Sequence, residues 1–211
     1  MAVKRNLVCI DGVIGVGKTN LALKLASEWG TVTLLEESLE NPYLDRFYEE
    51  PDTFAFPAQL HFLMSRYKEL AKLKQTSLFD RVVVTDYTIY KDWIFASINL
   101  PDNDFTIYER MYRDIVEKVP EPDLVILLQA RPDTLMRRIH RRGREMEKGI
   151  AREYIESLVE AYNSFYFTYY NGPLLVVNTD HFNPEENTDH FTRLLSEIDA
   201  TGHGRRFLGS A

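Results

Sequence analysis

Gly12-Val13-Ile14-Gly15-Val16-Gly17-Lys18-Thr19 is the stretch of this 211-residue chain that decides its fold. It fits the pattern G-x-x-x-x-G-K-[ST], whose backbone amides converge on phosphate oxygens. The apolar run at 7–10 before it is typical of a buried strand, and the run at 20–26 after it predicts an amphipathic helix. A glycine loop between a strand and a helix binds phosphate because its amides and the positive end of the helix both face the anion. The chain is therefore predicted to bind a nucleoside triphosphate.

Each residue type in this loop has its own part in binding the nucleotide. Glycine is required because the loop adopts positive φ angles and its backbone approaches phosphate oxygens closely. Lys18 is expected to reach the β- and γ-phosphates, and the Thr19 hydroxyl to ligate Mg²⁺. The predicted nucleotide-binding residues are Gly12, Gly15, Gly17, Lys18 and Thr19.

Length and composition fit one globular enzyme domain. The chain is 45% hydrophobic and 27% charged, with enough residues to bury a full core. A net charge of −7 argues against a nucleic-acid polymer as partner, since such partners call for a basic face. Cys9 is the single cysteine, which excludes an intrachain disulfide. We expect a cytoplasmic enzyme without membrane contact, because the sequence has neither a signal segment nor an apolar run of about 20 residues.

Short apolar runs alternate with helical patterns along the chain. The predicted strands are 3–10, 31–35, 81–86, 124–128 and 174–178. This alternation predicts an α/β fold with a five-stranded parallel sheet and helices on both faces, in one domain over residues 1–200. Residues 201–211 contain three glycines and are predicted to form a mobile tail.

Acidic residues follow two of the predicted strands. Glu36 and Glu37 follow the second strand, and Asp86 ends the third. In parallel sheets ligands bind beyond the carboxyl ends of the strands. These acids, the glycine loop and the turn at 129–131 are therefore expected to surround one crevice.

Three further stretches resemble motifs of the deoxyribonucleoside kinase family, in particular its bacterial deoxyadenosine and deoxyguanosine kinases. They are LEESLENPYL at 35–44 with FYEEP at 47–51, FAFPAQLHFLMSR at 54–66, and RRIHRRGREME at 137–147. The resemblance runs from the first strand to about residue 180.

This resemblance implies a P-loop NTPase fold with an arginine-rich lid at about 142–150. It implies that ATP, with Mg²⁺, donates its γ-phosphate to the 5′-hydroxyl of a deoxynucleoside in nucleotide salvage. The expected substrate is deoxyadenosine or deoxyguanosine, with deoxycytidine next. A homodimer packed through helices is also implied, and the aromatic run at 162–170 could serve that contact or fill the core.

By the same resemblance, the first two stretches hold the deoxynucleoside. Glu36 corresponds to the general base that accepts the 5′-hydroxyl proton, with Glu37 as a second candidate. Tyr48 corresponds to a residue that hydrogen-bonds the 3′-hydroxyl, and core packing is the alternative. Gln59 corresponds to the glutamine whose amide reads the base edge, and Arg66 to an arginine near the base in purine-accepting members.

The third stretch holds five of the 25 Lys and Arg residues within eight positions of an acidic chain. Phosphoryl transfer spreads negative charge over three oxygens, and forked arginine donors suit that charge. Glu147 corresponds to an acid that closes on the 3′-hydroxyl, whereas Arg137 and Arg141 are expected to be exposed. The residues that correspond to the phosphate-binding positions of the family are Arg138, Arg142 and Arg144.

The residues after the third strand depart from the family, which usually has an acid-Arg-Ser triplet there. Asp86 keeps the acid, and it is expected to hold Mg²⁺ or to position the hydroxyl. Tyr87 occupies the place of the arginine. The missing positive charge could come from Lys91 or from the lid.

The helix after this triplet is also affected, because its spacing is one residue shorter than the family pattern. Phe95 is still expected to stack on the base. For Asp92 two alternatives stay open: it reads the base edge or it faces solvent.

Two other functions fit parts of the sequence. A nucleoside monophosphate kinase of the thymidylate kinase type shares the loop and the lid, but it needs a basic group where Tyr87 stands. A non-catalytic nucleotide switch would keep Lys18 and Thr19, but it would need neither Glu36 nor the lid. The deoxynucleoside kinase is the interpretation that uses all of these features.

Overall fold

A parallel sheet lies at the centre of the computed structural model, which describes residues 5–36, 40–75 and 82–209. Within these ranges the sheet has six strands in the order β2-β3-β1-β4-β5-β6, and every neighbouring pair is parallel. The strands are β1 (Leu7–Gly12), β2 (Val32–Leu34), β3 (Val83–Thr85), β4 (Leu124–Gln129), β5 (Leu174–Asn178) and β6 (Arg205–Leu208).

Helices connect the strands and flank the sheet. They are α1 (Lys18–Trp29), α2 (Leu44–Glu49), α3 (Pro51–Gln75), α4 (Tyr90–Asn99), α5 (Asp102–Val116), α6 (Pro132–Arg142), α7 (Arg152–Ser164) and α8 (Thr188–Ala200). A short 3₁₀ turn, Glu145–Glu147, follows α6, and a π-helical turn, Phe165–Tyr169, extends α7. None of the helices in the described part of the chain is long and apolar enough to cross a membrane.

The order of the strands locates the crevice at which a ligand can bind. The chain leaves β1 towards β2 at one edge, returns through β3, and then crosses to β4 on the far side of β1. Such a reversal opens a crevice at the carboxyl ends of the strands. The glycine loop follows β1 and Asp86 follows β3, so both lie at this crevice.

The prediction of five strands is wrong, because β6 lies in the segment expected to be a mobile tail. Val176 of β5 pairs with Phe207, and the next residue, Leu208, is buried. The segment is short, glycine-flanked and rich in arginine, so its composition resembles that of a tail. It becomes a strand because it pairs with the otherwise open edge of β5.

The aromatic run of α7 and its π-helical turn fills the core. Tyr162, Tyr166 and Tyr170 are buried, whereas Tyr169 is exposed. The rings of Tyr166 and Tyr170 are 5.5 Å apart in an edge arrangement, which suits aromatic packing. Of the two alternatives for this run, core packing therefore accounts for most of its rings.

Replacing Leu208 by alanine tests whether β6 contributes to the fold. The loss of a buried leucine side chain should lower the free energy of unfolding by roughly 2–5 kcal/mol, measured by urea denaturation. Phe207→Ala is the matched control, because the neighbouring Phe207 is 58% exposed, and it should cost about 1 kcal/mol or less. Equal, small effects of both substitutions would contradict a packed β6.

Candidate active site

Two cavities meet at the glycine loop. The inner cavity reaches α2, α3 and α4, and its wall includes Glu36, Tyr48, Gln59, Arg66, Lys91 and Phe95. The outer cavity lies between α1, α6 and the segment after β5, and its wall includes Gly17, Asn20, Arg137, Arg138, Arg141 and Glu185. Both cavities share Gly15, Lys18, Thr19, Arg142 and Arg144. The loop, Arg142 and Arg144 thus form the boundary between the two cavities.

The glycine loop has the backbone geometry that a phosphate cradle needs. Gly12 and Gly17 have φ angles of 143° and 106°, which L side chains rarely adopt. A Cβ atom on Gly12 would lie 2.4 Å from the carbonyl oxygen of Leu128, so the loop packs directly on β4. The Nζ atom of Lys18 donates to the carbonyl oxygens of Gly12 and Val13, at 2.8 and 3.1 Å.

Burial and, after it, the nearby ammonium of Lys91 lower the pKa of Lys18 to about 8. Both lysines line the inner cavity. An anion such as a phosphate would relieve their repulsion.

Glu36, at the end of β2, is held between two cations. Its carboxylate accepts hydrogen bonds from the ammonium of Lys91, at 2.9 and 2.6 Å, and from the guanidinium of Arg66. Burial by itself would raise the pKa of Glu36, but Lys91 and Arg66 outweigh burial and lower the pKa well below its usual range. Glu37, the second candidate for the base, lies outside the described residues.

Thr19 and Asp86 bring two oxygen donors together at the loop. The Thr19 hydroxyl donates to Oδ2 of Asp86 at 2.5 Å, and the backbone N–H of Glu36 donates to Oδ1 at 2.7 Å. No group of three or more His, Cys, Asp or Glu able to hold a metal occurs among the described residues. Mg²⁺ in nucleotide sites takes one or two protein oxygens together with phosphates and waters, so this hydroxyl and carboxylate fit that ion.

Asp92 is fully buried, so the alternative that it faces solvent is wrong. Its carboxylate accepts a hydrogen bond from Arg66, which also bonds Glu36 and lines the inner cavity. Burial raises the pKa of Asp92 to about 7, against the opposing effect of Arg66. Asp92 is thus linked to the cavity by its hydrogen bond with Arg66.

The wall of the inner cavity opposite the loop is built by α2 and α3. The Asn41 side chain donates to the carbonyl oxygen of Ala58 at 3.0 Å and accepts from the N–H of Tyr43 at 3.0 Å. These bonds attach the turn before α2 to α3 beside Gln59. Gln59 is only 3% exposed although it is polar, and it lines the cavity. Tyr48 lies on the same wall, so core packing alone does not account for it.

The predicted lid residues divide into two groups. Glu147 is buried and accepts a forked hydrogen bond from Arg142, with Nη2 at 2.6 Å from Oε1, while Arg144 lies 3.7 Å away. Arg138 instead donates to the hydroxyl and carbonyl oxygens of Thr179, both at 2.8 Å. Arg138 therefore belongs to the outer cavity alone, whereas Arg142 and Arg144 line both cavities.

Arg137 and Arg141 are exposed, as expected, and they line the outer cavity. Sequence reasoning missed this contribution. A signal was available, since the basic run at 137–144 falls mostly on one helix, α6.

Tyr87 lines neither cavity, although its ring centre lies 5.7 Å from the guanidinium carbon of Arg66. It is completely buried, and its hydroxyl donates to Oε2 of Glu69 at 2.6 Å. Lys91 of α4, one of the two candidates left open by the sequence, bonds Glu36 alongside Arg66.

Sequence reasoning also missed Asp11, which is fully buried at the end of β1. Its carboxylate accepts hydrogen bonds from Thr88 at 2.5 Å, from Tyr166 at 2.6 Å and from Tyr162 at 3.1 Å. These bonds attach the start of the glycine loop to α4 and α7. The available signal is that Asp11, like Glu36 and Asp86, stands at the carboxyl end of a predicted strand.

A parallel sheet whose first strand leads into this loop defines a P-loop nucleotide-binding protein. The chain belongs to the deoxynucleoside kinase family, because the family's sequence model matches residues 8–201. The family predicted from the sequence is thereby confirmed.

Relatives in this family cover most of the chain. The deoxyguanosine kinase of Bacillus subtilis (strain 168) is 36% identical over 156 residues, which span 74% of this chain and 75% of that protein. The deoxyadenosine/deoxycytidine kinase of the same organism is 29% identical over 210 residues, 95% of this chain and 94% of its own. The structure of M. mycoides deoxyadenosine kinase with bound dATP superimposes with a TM-score of 0.80 at 26% identity, covering 92% of this chain and 98% of that one.

The Tyr87→Phe substitution tests the position of Tyr87 in the core. Turnover of a deoxynucleoside should stay within about twofold of wild type, because the hydroxyl contacts Glu69 and not the cavities. The free energy of unfolding should fall by about 1 kcal/mol for the lost hydrogen bond. Steady-state kinetics and denaturant unfolding measure the two effects, and a large loss of turnover would contradict this position.

Proposed function

We propose that the protein transfers the γ-phosphate of ATP to the 5′-hydroxyl of a purine deoxynucleoside, deoxyadenosine or deoxyguanosine. One observation carries this proposal: a single cavity is lined by Glu36, by residues of the phosphate loop and by the buried Gln59. A sugar hydroxyl can reach the carboxylate while the base contacts the amide. The names of the relatives, deoxyguanosine kinase and deoxyadenosine kinase, support a purine substrate.

In the proposed reaction the 5′-hydroxyl gives its proton to Glu36 as its oxygen attacks the γ-phosphorus. The bond between the γ-phosphorus and the β,γ-bridging oxygen breaks, and ADP leaves. Lys18, Arg142 and Arg144 would stabilise the charge on the transferred phosphoryl group, because forked and ammonium donors suit its oxygens. On the donor side, Gly12, Gly15 and Gly17 would bind the phosphates through their amides, and Arg138 would bind from the outer cavity.

Thr19 and Asp86 are the residues proposed to hold Mg²⁺. When bound, this ion neutralises part of the charge on the β- and γ-phosphates. The adjacent hydroxyl and carboxylate oxygens support the assignment, since Mg²⁺ prefers oxygen ligands.

The remaining cavity residues would select and orient the deoxynucleoside. Gln59 would bond the base edge and Phe95 would stack on the base, since both lie on the cavity wall. Arg66, held by Asp92, would assist in recognising the purine. Tyr48 and Glu147 would bind the 3′-hydroxyl.

The charge balance of the inner cavity favours an uncharged acceptor. Arg66 and Lys91 are paired with Glu36, and Arg142 with Glu147. A nucleoside monophosphate would bring a further two negative charges, for which these cations would have to leave their carboxylates. The thymidylate kinase type of reaction is therefore the less supported alternative.

The first experiment measures ADP release with ATP, Mg²⁺ and each of the four deoxynucleosides, alongside thymidine and deoxyadenosine monophosphates. Turnover with deoxyadenosine or deoxyguanosine is the expected result. Turnover with a monophosphate alone would overturn the proposal.

The Glu36→Gln substitution tests the general base. It should lower kcat by about 10²–10⁴-fold while leaving ATP binding intact, because an amide cannot accept the proton. Glu37→Gln is the matched control and should keep near-normal turnover. The reverse outcome would assign the base to Glu37.

The Lys18→Ala substitution tests the phosphate loop itself. ADP release should become undetectable, because the β- and γ-phosphates lose their ammonium partner. A wild-type rate would contradict the role of the loop.

We also propose that the protein is a cytoplasmic homodimer. Met64 of α3 and Ile107 of α5 are 45% and 53% exposed on two helices that pack against each other, which supports a helical contact between copies. The double variant Met64→Lys with Ile107→Lys should sediment as a monomer. Leu23→Lys, at a 48% exposed position of α1, is the control and should leave the dimer unchanged. A wild-type monomer would contradict the proposal.

A further inference from the structure

Lys91 occupies an unusual position for a lysine. Its side chain is 9% exposed, in the first turn of α4, and it lines the inner cavity beside the proposed base. The Nζ atom lies 2.9 and 2.6 Å from the two carboxylate oxygens of Glu36, and 5.4 Å from the ring centre of Phe95. A charge this deeply buried is costly unless it is paired and has a use.

A short series of hydrogen bonds attaches the start of α4 to the phosphate loop. The N–H of Lys91 donates to the hydroxyl of Thr88 at 3.3 Å, and that hydroxyl donates to Asp11 at 2.5 Å. Asp11 also accepts from the N–H of Gly12 at 2.8 Å. The position of Lys91 is therefore set relative to the first residue of the loop.

Lys91 and Lys18 both line the inner cavity, together with Glu36 and with Thr19 of the loop. Under the proposed function this space receives the γ-phosphate and the attacking oxygen, because Lys18 belongs to the loop and Glu36 is the base. Two cations close together are suited to an anion that arrives between them.

The arginines that line the inner cavity each have a carboxylate partner other than Glu36. Arg66 bonds Asp92 as well as Glu36, so it is fixed from both sides. Arg142 is engaged by Glu147 in a forked pair. Lys91, in contrast, has a flexible stem and, within the described residues, Glu36 as its ion-pair partner. Of the two cations that bond Glu36, Lys91 is therefore the one whose ammonium can turn to a new anion at the smaller cost.

We propose that Lys91 is a catalytic residue, whose ammonium turns from Glu36 to the γ-phosphate and the attacking 5′-oxygen during transfer. This inference rests on the proposed kinase function. Lys91 keeps its proton throughout: the hydroxyl proton passes to Glu36, and Lys91 stabilises the charge on the transferred group. It thereby supplies the charge that Tyr87, with its hydroxyl on Glu69, cannot supply.

The experiment compares Lys91→Met with Lys91→Arg, with Lys118→Met as the control. Methionine keeps the length of the side chain and removes the charge, whereas arginine keeps the charge. Lys118 is exposed after α5 and lines neither cavity, so its variant should match wild type. We measure kcat and KM for the preferred deoxynucleoside, the dissociation constant of ATP, and the melting temperature.

Lys91→Met should lower kcat by about 10²–10³-fold and change KM by less than about threefold. The reason is that the ammonium contacts the transferred phosphoryl group only in the transition state. Lys91→Arg should recover at least about tenfold of that loss. If the methionine variant does not fold, Lys91→Gln, which is neutral but polar, replaces it in the same comparison.

Three outcomes would overturn the proposal. A kcat within threefold of wild type would show that the charge is not needed, while leaving the kinase function intact. A raised KM at unchanged kcat would show that Lys91 contributes to substrate binding and not to the transfer step. An arginine variant as slow as the methionine variant would show that charge is not what Lys91 contributes. Wild-type enzyme without turnover of any deoxynucleoside would instead refute the proposed function itself.

Discussion

A buried group of two carboxylates and two cations governs the site. Glu36 and Asp92 are joined by Arg66, and Lys91 completes the pairing at Glu36. Burying these four ionisable groups is tolerable only because each is bonded to a partner of the opposite type. Since these residues come from the end of β2, from α3 and from α4, their pairing fixes the positions of three elements around the inner cavity.

This ionic group is better explained by function than by stability. Buried ion pairs can often be replaced by apolar residues of similar volume without loss of stability. Here the group is the wall of a cavity that opens on the phosphate loop. It keeps an ionised carboxylate and two cations beside the position proposed for the reacting atoms, where displaced charge has the largest effect on rate.

A second set of buried bonds connects the loop to the rest of the protein. The carboxylate of Asp11 accepts hydrogen bonds from the hydroxyl groups of Thr88 and of two tyrosines, one in α7 and one in its π-helical turn. The start of the loop is thereby attached to the segment before α4 and to α7. The lid is attached differently, through Glu147 and two arginines whose side chains are about two-fifths exposed. Fewer buried contacts allow a segment to open at smaller cost, which suits the role of a lid proposed for this segment.

Local patterns explain what the sequence predicted correctly. The glycine loop, the apolar strands and the helices each depend on residues adjacent in the chain, so their spacing reveals them. Glu36 and Asp86 followed from the same logic, since acids at strand ends meet at one edge of a parallel sheet. The position of Gln59 at the site could be predicted only from the resemblance to the family, because the spacing around a mid-helix glutamine does not show that it is buried.

Pairing between distant segments explains what the sequence could not predict. The segment at 205–208 is a strand only because the edge of β5 lies beside it, and its own composition resembles that of a tail. Likewise, the sequence alone does not show whether Tyr87 or Lys91 lies beside Glu36, because both precede or begin α4 and its packing decides which one does.

The sequence by itself therefore determined the nucleotide loop, the class of fold and the family. Only the tertiary structure decided that Tyr87 turns into the core, that Asp92 is buried and that Lys91 bonds Glu36. The physical reason is that these outcomes depend on how α4 packs between α3 and α7. That packing brings together side chains separated by tens of residues, and no local spacing encodes it.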